Sequence, residues 1–133
     1  MNMKYPNLLS PGKIGKVELR NKTVMAAMGM SQAENGFVNK AVLNHYSERA
    51  KGGVGAIIVE VTCVDSPLGL NTKGMLVIDD DKYIPGMTQL ADVIHEGGSK
   101  AFCRFLIQAE AQEEKLLVTS PLVQVLLQCR IHI

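Results

Sequence analysis

The chain has 133 residues, of which 47% are hydrophobic and 20% charged, and its formal net charge is +1 at pH 7. This composition is typical of one soluble globular domain, and it gives no case for a disordered chain, a membrane span or an electrostatic nucleic-acid or membrane surface. The N-terminus has no signal-peptide pattern, and the three cysteines lack the spacing of disulfides or a zinc site, so we expect a cytoplasmic protein.

The first predicted elements are a hairpin and a buried strand. Residues 13–15 and 17–19 are short β-capable pieces around a glycine turn. Residues 23–28 form a nearly continuous apolar run that ends at Gly29. Such a run predicts a strand covered on both faces, as in a parallel sheet.

Two amphipathic helices follow. Residues 40–51 begin after Asn39, a suitable N-cap, and residues 84–94 carry apolar side chains at helical spacing. Double glycines at 52–53 and 97–98 are typical helix ends. The glycines after Lys51 lie between a helix and a strand, which is the wrong order for a phosphate loop.

The remaining strands lie at residues 56–61 and 101–106, with a long loop over 62–80 that we expect to be functional. The acidic run 79–81 is interpreted as a helix cap and not as a metal site. The order strand, helix, strand, helix, strand predicts either part of a doubly wound sheet or the opening of a (β/α)8 barrel. In both folds, sites lie at the carboxyl ends of the strands.

Residues 5–106 resemble the N-terminal portion of the old yellow enzyme family, the FMN-dependent NADH:flavin oxidoreductases and 2,4-dienoyl-CoA reductases. The segments that carry the resemblance occur in the family's order: LLSPGKIG (8–15), LRNKTVMAAM (19–28), YSERAKGGVG (46–55), EVT (60–62), DDKYIPG (80–86) and VIHEGG (93–98). The resemblance implies an α/β fold: the first βα units of a (β/α)8 TIM barrel with an N-terminal β-hairpin, truncated after the third strand. The absence of GxGxxG after the first strand counts against the doubly wound alternative.

The resemblance also implies a set of cofactor-binding residues, which are Ala26, Ala27, Met28, Gly29, Val61 and Arg104. Ala27 replaces the family's usual proline, and Gly29 lacks the side chain that normally tunes the flavin. Val61 stands where a small residue is usual beside the flavin. Arg104 stands where the family has a glutamine at the pyrimidine edge, and arginine can donate hydrogen bonds there but cannot accept them.

The activity that the resemblance implies is FMN-dependent NAD(P)H oxidoreduction of the ene-reductase type. NADH or NADPH reduces FMN, and hydride passes to an enone or enoyl thioester. The family's substrate-anchoring histidine pair and its acid lie further along the barrel, so no catalytic residue and no metal ligand is assigned here. The alternative is a non-catalytic flavin-binding or inactive fragment. A truncated barrel would also leave strand edges unpaired, which would favour self-association.

We divide the chain into residues 1–106, the N-terminal part of an FMN-binding barrel, and an atypical tail over 107–133. The tail contains no glycine, and IQAE stands where the family has a His-x-Gly-Arg motif. One missing base before the codon for Ile107 would explain the change, since restoring it allows His-Pro-Gly-Arg. We therefore interpret the tail as a frameshift product, with a native C-terminal helix interrupted at Pro121 as the alternative.

Overall fold

A computed structural model describes residues 5–106, so the predictions made for residues 107–133 lie outside the described range. The elements in chain order are α1 (Pro6–Leu9), β1 (Gly12–Ile14), β2 (Val17–Leu19), β3 (Val24–Met25), α2 (Lys40–Lys51), β4 (Ala56–Cys63), β5 (Leu76–Val77), a 3-10 turn (Asp81–Tyr83), α3 (Ile84–Glu96) and β6 (Lys100–Leu106).

The strands form a separate hairpin and a parallel sheet. Strands β1 and β2 pair antiparallel, which confirms the predicted hairpin. Strand β4 runs parallel to β6 along its whole length and parallel to β3 over two residues at its beginning. Short strand β5 pairs with the end of β4 inside what the sequence predicts as loop. The described residues therefore have the parallel βαβαβ order that the sequence predicts.

The first strand of the sheet is shorter than predicted. Only Val24 and Met25 pair with β4, and residues 26–30 continue without ladder pairing in the described part of the chain. Apolar character indicates burial but does not show whether another backbone runs alongside. The prediction of a strand over residues 23–28 is therefore wrong for its carboxyl half, and that part of the chain leaves the sheet.

The two long helices cover one face of the sheet, and their capping explains their bounds. The Asn39 side chain accepts a hydrogen bond of 3.1 Å from the Val42 amide at the start of α2. Gly53 and Gly98, with φ of 100° and 79°, turn the chain after α2 and α3 into the next strands. The core between helices and sheet is made of Val42, Tyr46, Ala50, Ile57, Val59, Leu90 and Ile94 with their neighbours. Ile84, predicted on the buried stripe, is the first residue of α3 and is 52% exposed.

The amino edge of the sheet, where β4 and β6 begin, is held by Arg20 and Asn21. The Arg20 guanidinium donates to the carbonyl oxygens of Ala50 and Val54 at 2.5 and 2.9 Å, and to the Ser99 hydroxyl at 3.2 Å. The amide of Asn21 donates to the Gly53 carbonyl at 2.8 Å. These bonds join the end of the hairpin to the turn after α2 and to the start of β6.

None of the helices in the described part of the chain has the length and apolar character needed to cross a membrane.

Candidate functional site

The carboxyl edge of the sheet begins with segment 26–31, which follows β3. Met28 is 55% exposed although it ends an apolar run. Ala26 and Gly29 are also exposed, and Ala27 is half-buried. No atom lies within 4 Å of the position that a side chain on Gly29 would take. The segment therefore presents an apolar, sterically open surface next to the sheet.

Val61 and Arg104 lie side by side at the same edge. Val59 of β4 pairs with Cys103 of β6, and Val61 pairs with Arg104, so a bulge at Glu60 shifts the register by one residue. Both Val61 and Arg104 are half-buried. Residues far apart in the sequence thus become neighbours, and the bulge decides which residue of β4 lies beside the guanidinium.

Glu60, the bulged residue, is the main feature of this edge that the predicted site does not include. It is 1% exposed, and its Oε2 accepts a hydrogen bond of 2.6 Å from the Met30 amide and a longer one of 3.4 Å from the Ser31 amide. Burial raises the pKa of this carboxyl, and the two backbone donors oppose that rise. The signal in the sequence is a single carboxylate within an otherwise apolar strand.

The backbone of Glu60 is held from the opposite side by Tyr46 of α2. Tyr46 is fully buried, and its hydroxyl oxygen accepts a hydrogen bond of 2.8 Å from the Glu60 amide. Burial raises the pKa of the Tyr46 phenol well above its ordinary value, so the phenol stays neutral. The bulge therefore keeps a partner for the amide that it removes from the strand ladder.

Both histidines of the described residues lie on helices and not on the strands or the segment that form this edge. His95 is in the last turn of α3, next to the amino end of β6. His45 is on α2, where burial and then the nearby Arg49 lower its pKa. Within residues 5–106, no three His, Cys, Asp or Glu side chains lie together as a metal site would require.

A cleft of about 610 Å³ opens beside segment 26–31, between residues 31–36 and the loop over 66–75. Its walls include Ser31, Lys73 and Tyr83. The loop is anchored by Asp79, whose carboxylate accepts hydrogen bonds from the Ser66 amide and hydroxyl, and these bonds lower the pKa of Asp79. The long loop predicted to be functional thus borders the candidate site.

Comparison with known proteins gives a family and a fold. The model of the NADH:flavin oxidoreductase / NADH oxidase family matches residues 7–127. An NADH oxidase from Thermoanaerobacter brockii is 44% identical over 99 residues, which are 74% of this chain and 15% of that protein. A metal reductase from Desulforamulus reducens is 37% identical over 116 residues, covering 87% of this chain and 17% of its own length.

Solved structures agree with the sequence relatives. The old yellow enzyme from Trypanosoma cruzi matches with a TM-score of 0.70 and 31% identity over 78% of this chain and 28% of its own. A 2-naphthoyl-CoA reductase in complex with 2-naphthoyl-CoA matches with a TM-score of 0.74 and 28% identity over 77% of this chain and 16% of its own. The neighbours are TIM barrels, and residues 5–106 are a partial α/β unit of that barrel with its parallel sheet. The chain spans 15% and 17% of the lengths of the two relatives above.

Proposed function

Because the chain belongs to the NADH:flavin oxidoreductase / NADH oxidase family, we propose that it forms one wall of an FMN site in an NAD(P)H-dependent oxidoreductase. The reaction we propose is of the ene-reductase type, with an enone or enoyl thioester as substrate. The similar 2-naphthoyl-CoA reductase was solved with a CoA thioester, which supports this class. When bound, FMN supplies the transfer of hydride between the nicotinamide and the activated C=C bond.

The observation that carries the proposal is the register of β4 against β6, which puts Val61 beside Arg104. Segment 26–29 follows β3, whose last pair is Met25 with Ile57, and Met30 bonds to Glu60, so the segment runs along β4 toward the same carboxyl edge. A flat aromatic ring fits this surface, because Met28 is exposed and Gly29 has open space around it. Ligands of barrel proteins lie at this edge in general.

Each residue has a proposed role that follows from its chemistry. Ala26, Ala27 and Gly29 let the backbone approach the ring closely, and the Met28 thioether packs on an aromatic face. Val61 lies on the same side and narrows the space left for the ring. Arg104 donates hydrogen bonds and a positive charge to the oxygen-bearing edge of the ring, where negative charge accumulates on reduction.

A flavin titration of the full chain tests the proposal. Quenching of flavin fluorescence measures the Kd for FMN and, in parallel, for riboflavin, which lacks the phosphate. The family's phosphate loops belong to late strands of the barrel, so we expect the two Kd values to agree within about threefold. Failure of both flavins to bind to the folded chain would refute the proposed wall.

Variants of Arg104 distinguish the contribution of its charge to FMN binding from the contribution of its size. We expect Arg104→Met to raise the Kd for FMN by about tenfold, because charge-assisted hydrogen bonds contribute about 1.5–3 kcal/mol. Arg104→Gln should recover part of the affinity and lower the reduction potential of bound FMN, since a cation next to the ring favours the reduced form. Equal Kd values for all three proteins would exclude Arg104 from the site.

NADH consumption distinguishes the two classes of function. Oxidation of NADH or NADPH by the FMN-loaded chain, with or without an enone, supports the oxidoreductase. FMN binding without any nicotinamide oxidation supports the alternative, a flavin-binding fragment with no catalysis.

A further inference from the structure

Glu60 is a carboxyl group enclosed in the protein without a cation. It is 1% exposed, whereas the ion pairs of residues 5–106 join Lys13 to Glu18, Lys51 to Glu48 and Lys82 to Asp80, all at the surface. A buried carboxyl that lacks an ionic partner costs folding free energy. Its second oxygen, Oε1, is buried and has no hydrogen-bond partner among the described residues. The position is therefore unfavourable for stability, and a role in the site is the better explanation.

The other oxygen holds the backbone of segment 26–31. The Met30 amide donates a hydrogen bond of 2.6 Å to Oε2, which is a close contact for a nitrogen donor. It joins β4 to a segment that has already left the sheet, 30 residues earlier in the chain. Residues 26–30 have no ladder pairing in the described range, so this bond holds them against β4 where ladder pairing does not.

The next residue, Ser31, has a strained backbone between two supports. Its φ is 52°, a conformation that residues with side chains rarely adopt. On one side its amide points to Glu60 Oε2. On the other, Gly74 packs so closely against the Ser31 carbonyl that a Cβ at Gly74 would collide with that oxygen. The surroundings thus impose one conformation on the end of the segment.

The bulge explains why Glu60 can reach this segment. Because β4 has one residue more than β6 between the pairs at Val59 and Val61, Glu60 is withdrawn from the ladder. Tyr46 holds its amide from the helix side. One local feature of β4 therefore sets both the Val61–Arg104 pair and the carboxyl that binds Met30.

We infer that Glu60 is a positioning residue whose carboxyl fixes segment 26–31 against β4. It thereby sets the position of the exposed Met28 side chain relative to Val61 and Arg104. That this surface receives FMN rests on the proposed function; that Glu60 holds the segment does not. The role needs an acceptor oxygen at Oε2 and no negative charge. A glutamine can therefore replace Glu60, whereas an alanine cannot.

Hydrogen exchange measured by mass spectrometry on the full chain, without flavin, tests the first part. In Glu60→Ala we expect the peptide covering residues 26–33 to exchange about tenfold faster, since the loss of one buried hydrogen bond corresponds to about that factor. Glu60→Gln should restore most of the protection. The control is Ile94→Ala, a buried residue of the helix-side core, which should lower stability without selective exchange in residues 26–33.

A second measurement needs no variant and therefore holds even if Glu60→Ala does not fold. In the NMR spectrum of the wild-type chain, the Met30 amide proton should be shifted far downfield and exchange slowly. A Met30 amide proton that has an ordinary chemical shift and exchanges as fast as the amides of an exposed loop would overturn the inference. So would Glu60→Ala with the wild-type exchange rate in residues 26–33.

FMN titration then separates this inference from the proposed function. We expect Glu60→Ala to raise the Kd for FMN by about tenfold and to change the visible circular dichroism of the bound flavin, with Glu60→Gln and Ile94→Ala near the wild type. If no flavin binds to the wild type but the exchange pattern holds, the proposed function fails and the positioning role stands. If flavin binds equally to wild type and Glu60→Ala with identical spectra, the link between Glu60 and the flavin surface is refuted.

Discussion

The two edges of the sheet differ in how completely their polar groups are paired. At the amino edge, Asn21 is bonded through both ends of its side chain, to Gly53 and to Thr23. At the carboxyl edge, Met28 is exposed, Ser31 is strained and one oxygen of Glu60 lacks a partner in the described residues. The first edge pairs its polar groups, whereas the second combines an exposed apolar side chain, a strained backbone and a buried unsatisfied oxygen, a combination that is more frequent at functional sites than in stabilising ones.

The largest expected effect comes from glycine substitutions at the two edges. A Cβ on Gly55 would collide with the backbone carbonyl of Asn21, whereas a Cβ on Gly29 meets nothing within 4 Å. We expect Gly55→Ala to lower the free energy of unfolding by about 3 kcal/mol through overpacking. Gly29→Ala should change it by less than about 0.5 kcal/mol. Urea denaturation of both variants checks this, and equal losses would remove the contrast between the edges.

Arg20→Met tests the hydrogen bonds of the amino edge while keeping an apolar stem. The variant leaves the carbonyl groups of Ala50 and Val54 and the Ser99 hydroxyl without the guanidinium, and we expect a loss of about 2 kcal/mol. The matched control is Lys16→Met in the exposed hairpin turn, which should be neutral. A neutral Arg20→Met in thermal or urea unfolding would show that these bonds do not stabilise the edge.

Val61→Ala should have opposite effects on stability and on binding. Val61 packs against the small cluster of Cys63, Met75, Val77 and Tyr83, so we expect a loss of about 1 kcal/mol. The smaller side chain gives a flavin more room beside Arg104, and FMN should bind about threefold more tightly. The expected result is a lower free energy of unfolding together with a lower Kd for FMN. Weaker FMN binding by a variant that is still folded would mean that Val61 contacts the flavin favourably.

The smallest expected effect is a pH dependence at Glu60. Burial raises its pKa above the ordinary value of 4.5, so the folded chain binds this proton more tightly than the unfolded chain. The stabilisation from this group is therefore full below the ordinary value and is lost as the pH rises through the folded pKa. We expect the wild type to lose stability relative to Glu60→Gln over that range, measured by urea unfolding. Parallel curves for the two proteins would contradict a raised pKa.

Predictions from the sequence worked best where local signals mark an element. The helix predicted over residues 40–51 has the bounds that the structure shows, because Asn39 caps its start and Gly53 turns the chain after its end. The hairpin, the second helix and the order of the parallel strands were also accessible from periodicity and glycine punctuation.

Predictions failed where pairing depends on distant residues. The apolar run 23–28 predicted a full strand, but only two of its residues have a ladder partner in the described range. The helical stripe included Ile84, which is exposed, and the loop over 62–80 contains strand β5. In each case the local pattern reports apolar character, whereas strand pairing and burial depend on which distant part of the chain lies alongside. The six predicted cofactor residues stay predictions, although Val61 and Arg104 are adjacent.

The sequence by itself determined the kinds of the main elements and their order, because periodicity, caps and turn residues act over a few residues. Only the tertiary structure decided the bulge at Glu60, its bond to Met30 and the pairing of Val61 with Arg104. These features join residues that are 30 to 43 positions apart in the chain. Such contacts depend on register and close packing, which a local pattern does not encode.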